Sequence, residues 1–71
     1  MSYRVTLGDI ATRYDERSGE KIILSLDMID HTAYDYEYII KVRRESQTNG
    51  KEVLSLWSKE AHTLADLITK A

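Results

Sequence analysis

Asp27, Asp30, His31 and Asp35 form the one cluster in this chain whose residue types suit metal-ligand chemistry. Three carboxylates and an imidazole match a hard or borderline divalent ion. Their spacing gives neither a His-x-x-x-His pair nor a calcium loop. They read instead as a solvated acidic strand end, and no metal or cofactor is expected. A nucleophile needs a base within hydrogen-bond reach, and nothing in the sequence brings His31 or His62 to one. His62 reads as a surface residue. Acid–base catalysis needs carboxyl groups in perturbed surroundings, and no Asp or Glu declares itself buried. There is no glycine-rich phosphate loop. The chain is expected not to be an enzyme.

Binding chemistry is better represented. Tyr34, Tyr36 and Tyr38 recur at period two and form an aromatic stripe. Such rings either pack in a core or interface, or stack on unpaired bases. Lys41, Arg43 and Arg44 continue the same segment with positive charge, and Arg13 and Arg17, with Arg4 and Lys21, can join them across a sheet. The expected nucleic-acid contacts are Tyr36, Tyr38, Lys41, Arg43, Arg44, Arg13 and Arg17. Asp9, Asp15, Glu16 and Glu20 interleave with the cations of the first hairpin. Asp27 to Glu37 holds four acidic residues and no Lys or Arg, a polarity able to orient a partner.

These residues must be placed by a few elements. Tyr3 to Tyr14 alternates, with a phase shift after Gly8-Asp9, and predicts one long bent or bulged strand, with two short strands as the alternative. Lys21 to Ile29 predicts a second. Ile22, Leu24, Leu26 and Met28 share one of its faces, and Ile23 and Ile29 lie on the other. Tyr34 to Arg43 has the clearest period-two pattern, rich in β-branched and aromatic residues. Asn49-Gly50 signals a hairpin turn, and Val53 to Trp57 predicts a short fourth strand. Ala61, Leu64, Ala65 and Ile68 then recur at helical spacing, with Ser58 as the expected N-cap. The fold class is α+β: a four-stranded antiparallel, strongly curved sheet followed by one C-terminal amphipathic helix. One helix covers only part of a four-stranded face. The remainder is a candidate dimer interface, and a homodimer is expected.

Length sets the outer bound. Seventy-one residues make a single small domain, 1–71, with a marginal core. With no cysteine, neither a disulfide nor a Cys-based zinc or iron–sulfur site exists. Hydrophobic residues at 42% and charged residues at 31% fit a globular chain rather than a disordered tail. No apolar run is long enough to span a membrane. Polar residues follow Met1, so no signal peptide is read and the cytoplasm is the expected location. The net charge of −2 excludes an overwhelmingly basic nucleic-acid binder.

Ile39-Ile40-Lys41-Val42-Arg43, then Val53-Leu54-Ser55-Leu56 running into Ser58, Glu60, Leu64 and Ile68, resembles the single-stranded-DNA-binding family of transcriptional positive cofactor four, the coactivator p-fifteen type. The four-strand-plus-helix order agrees. The resemblance covers about half the chain. It implies a strongly curved sheet, dimerisation involving the helices, and nucleic acid bound across the sheet, with Lys41 and Arg43 as strand contacts. The function expected is a small non-enzymatic module binding single-stranded nucleic acid, DNA foremost, in transcription or DNA metabolism. The alternative is a phage- or plasmid-encoded inhibitor or adaptor that binds a protein through the acidic segment.

Overall fold

The long alternation at the start of the chain forms one strand, β1 (Tyr3–Tyr14), in the computed structural model, which describes residues 2–71. β2 (Lys21–Asp30), β3 (Tyr36–Arg44), β4 (Lys51–Trp57) and the helix α1 (Ser58–Thr69) follow. The strands make one antiparallel sheet in the order β1-β2-β3-β4, leaving β1 and β4 as edges. The expected α+β order is present.

The phase shift read in the first segment has a structural cause. Pairing with β2 slips between Thr6 and Gly8 and again between Asp9 and Ala11, so Leu7 and Ile10 are extra residues in β1. Each bulge inserts one residue and resets the alternation. Val5, Gly8 and Ala11 therefore oppose Met28, Leu26 and Leu24, all on one side of β2. A third bulge, at Val53, separates the Ile40–Leu54 and Lys41–Glu52 pairs.

Register assigns the two faces. Leu24, Leu26, Met28, Tyr38, Ile40 and Leu56 lie on the side that carries α1. Ser25, Asp27, Ile39, Lys41 and Ser55 lie on the opposite, open side. The only apolar core residue among those described is Ile39, on the open side, where Ser25 and Asp27 are also buried. α1 touches β3 and β4 but not the other two strands, and none of its residues is buried. Between α1 and the sheet runs an apolar groove of about 330 Å³. Leu64, centred in the helical stripe, lines it and remains 38% exposed.

Local differences from the sequence reading have simple reasons. β3 starts at Tyr36 rather than Tyr34, because Tyr34 lies in a turn whose N–H bonds the His31 carbonyl at 3.0 Å. β4 starts two residues earlier than expected, at Lys51, which pairs with Val42. Trp57, not Ser58, is the N-cap of α1. Its backbone N–H donates to Glu60 Oε1 at 2.8 Å, so the first-turn carboxylate satisfies the cap residue's own amide, and no side chain caps the first-turn amides as the serine hydroxyl was expected to. Asn49-Gly50 does not form a tight two-residue hairpin turn. The β3–β4 connection is longer, and Gly50 is there for close approach. A Cβ on it would lie 3.1 Å from the Val42 carbonyl oxygen.

Candidate nucleic-acid interface

Alternation along β2 and β3 aims Asp27 and Lys41 at the same open face, beside Arg4 and Thr6 of β1. Asp27 is 1% exposed. Its Oδ2 accepts from Arg4 Nε at 2.6 Å and pairs with Lys41 Nζ at 3.0 Å; its Oδ1 accepts from Thr6 Oγ1 at 2.9 Å. Burial alone would raise this carboxyl's pKa, but the Arg4, Lys41 and Thr6 bonds outweigh it and hold it below its ordinary value. Arg4 also reaches Glu52 at 2.8 Å. Its pKa is raised by the Glu52 and Asp27 hydrogen bonds. A buried carboxylate was not expected from the sequence. It arises because a short acidic side chain at the sheet centre is covered by the stems of two long cations.

The acidic segment is largely occupied within the protein. Asp27 turns into this network. Asp30 Oδ1 accepts the Thr32 N–H at 2.9 Å, and Asp35 Oδ1 accepts the Tyr36 N–H at 2.9 Å. Glu37 bonds His31 Nε2 at 2.8 Å and accepts the Ser55 hydroxyl. Those bonds, Ser55 first, lower its pKa. The carboxylate stands between the hydroxyl and the imidazole, which is not the order in which a base activates a nucleophile. No group of three or more His, Asp or Glu residues converges among the described residues to hold a metal ion.

The seven expected contacts fall on different surfaces. Tyr36 and Tyr38 sit on the α1 side, and Tyr38 meets His62 edge-on at 6.5 Å. Lys41 and Arg43 sit on the open side, and Lys41 is paired with Asp27. Arg44 clasps Asp15 at 3.0 Å and Glu20 at 3.2 Å. Glu20 also accepts from the Ser46 hydroxyl and N–H, so the group ties the β1–β2 turn to the β3–β4 connection. Arg13 opposes Ile22 on the α1 side, and Arg17 lies in the β1–β2 turn, both exposed. The tyrosine stripe and the strand cations thus do not form one surface.

A different grouping does form. At the β1–β2 turn end of the open face, Tyr14 pairs with Lys21, and Ile23 pairs with Arg43. Tyr14 is 66% exposed. Among the described residues, neither Lys21 nor Arg43 has a carboxylate partner; Arg43 donates to the Gln47 carbonyl at 3.2 Å. Simple alternation would put Ile10 and Tyr14, four residues apart, on one face, and the Ile10 bulge separates them. Only the pairing with β2 reveals that.

No helix among the described residues is long and apolar enough to cross a membrane. Comparison of the chain with protein-family models, curated proteins and solved structures finds no match.

Proposed function

We propose that the protein is a small non-enzymatic module that binds single-stranded nucleic acid, DNA foremost, at the turn end of its open face. The supporting observation is the placement of Tyr14, Lys21 and Arg43 at one end of one face: an exposed ring paired across strands with Lys21, and Arg43 one strand further on, two cations without carboxylate partners among the described residues. An aromatic face stacks on any unpaired base, and adjacent cations follow the phosphates. The likeness of the strand–helix half to a single-stranded-DNA-binding family points the same way. With a net charge of −2, attraction to phosphate must come from such a local patch.

Fluorescence anisotropy with labelled single strands, titrated over salt, tests this reading. Arg43→Ala is expected to weaken binding to all sequences alike and to reduce the salt slope by about one. Tyr14→Ala is expected to weaken binding by about 1–3 kcal/mol with little change in slope. Wild-type protein that binds no single strand at low salt would overturn the reading.

A further inference from the structure

Resting on the nucleic-acid reading above, we infer that Arg4 and Lys41 form a second phosphate subsite on the open face. Glu52 occupies it in the free protein and yields it to a phosphodiester of the bound strand. β1 and β4 are the two edges of the sheet, three strand spacings apart, which is about 14 Å in a flat sheet. The Arg4 side chain nevertheless crosses the open face from β1 and meets Glu52 of β4, Nη1 to Oε1 at 2.8 Å. On β3, Lys41 is the register partner of Glu52 and the next open-face position after Arg43. The subsite therefore continues from the Tyr14, Lys21 and Arg43 end, one alternation further along β3, about 7 Å.

One guanidinium here holds two carboxylates of opposite character. Arg4 Nε is bonded to Asp27 Oδ2 at 2.6 Å, and the Asp27 side chain is 2% exposed. Nη1 is bonded to Glu52, whose side chain is 55% exposed. Asp27 also holds Lys41 Nζ at 3.0 Å. The buried carboxylate fixes both cations in place, because their departure would strand a buried charge. The exposed carboxylate contributes little, because solvent screening and side-chain entropy offset most of a surface ion pair. Exchange of Glu52 for an incoming phosphate is therefore nearly free, and the phosphate meets an N–H donor already held in position. The charge count points the same way. Arg4 and Lys41 are balanced by Asp27 and Glu52, so the middle of the face is neutral while Glu52 is seated. Its departure leaves one net positive charge beside Arg43.

Fluorescence anisotropy and NMR of the full chain with a labelled oligothymidylate test this. Glu52→Gln is expected to tighten binding about two- to fivefold at low salt, the range of one exposed charge pair, and to steepen the salt slope by about 0.7. Asp66→Asn removes the same charge from α1, across the sheet, and is expected to bind as wild type does. In the wild-type protein, adding the strand is expected to shift the side-chain carboxyl carbon resonance of Glu52 and to leave that of Asp27 in place. A strand that binds without moving the Glu52 resonance would overturn the subsite and leave the Tyr14 end standing. So would a Glu52→Gln protein that binds no more tightly than Asp66→Asn. Absence of binding by wild type and Glu52→Gln alike would overturn both readings.

Discussion

Asp27 shows how one side chain organises a sheet face. It is charged, buried, and bonded to two cations and a hydroxyl. Breaking a wholly buried ion pair costs about 3–5 kcal/mol. Here the partners reach water: the Arg4 and Lys41 side chains are 38% and 24% exposed. Asp27→Asn is therefore expected to cost less, about 1–3 kcal/mol in urea unfolding, mostly from bonds left unmade. The pH dependence has a definite sign. A carboxyl whose folded pKa is lowered contributes stability above its unfolded value, and that contribution is lost as pH falls through the folded one. Wild-type stability is expected to fall as the pH drops below about 4. Asp27→Asn should flatten part of that fall. Asp15, Glu20 and Glu37, also lowered by their hydrogen bonds, sustain the rest. An acid limb identical in wild type and variant would show that Asp27 is not ionised in the fold.

Turns and bulges decide what the strands present. The β1–β2 turn closes through Asp15, whose N–H donates to the Glu20 carbonyl at 2.9 Å and whose carbonyl accepts from Gly19 at 2.8 Å. Gly19 has φ +72, and a Cβ there would meet nothing within 4 Å. Gly19→Ala is thus opposed by backbone conformation alone, at about 1–2 kcal/mol. Gly8 has the same open space without positive φ. Gly8→Ala is expected to be near neutral, so urea unfolding of the two variants separates a conformational requirement from a packing one. The Leu7 and Ile10 bulges act over longer range. Together they cancel in face but slide the end of β1 two residues along β2, so that Tyr14 rather than Thr12 stands opposite Lys21 on the open face.

At the level of the whole molecule, stability is unevenly distributed. The three buried residues among those described belong to β2 and β3, while α1 rests on β3 and β4 alone. Opening free energy follows buried contacts. Amide hydrogen exchange is expected to be slowest in β2 and β3 and fastest in α1. Protection of α1 should increase with protein concentration if a second copy covers it. Fast exchange in β2, or α1 protection equal to that of β3 at every concentration, would contradict this distribution.

The sequence by itself determined the elements. Period-two alternation, the helical stripe after Trp57 and the phase slip near Gly8 are local signals, and each produced the element it predicted, with small shifts at the ends of β3 and β4. The partly covered apolar face was legible too, because one helix cannot span four strands. Alternation within β3 by itself parts Tyr36 and Tyr38 from Lys41 and Arg43, because adjacent strand residues face opposite ways. Tertiary structure decided which charges are left for a site. Arg44 and Lys41 were taken up by carboxylates distant in sequence, Asp15, Glu20 and Asp27. Tyr14 joined Lys21 and Arg43 only through two bulges whose positions depend on the pairing of β1 with β2. Periodicity is a property of a segment; which charge meets which, and on which face, depends on register between segments.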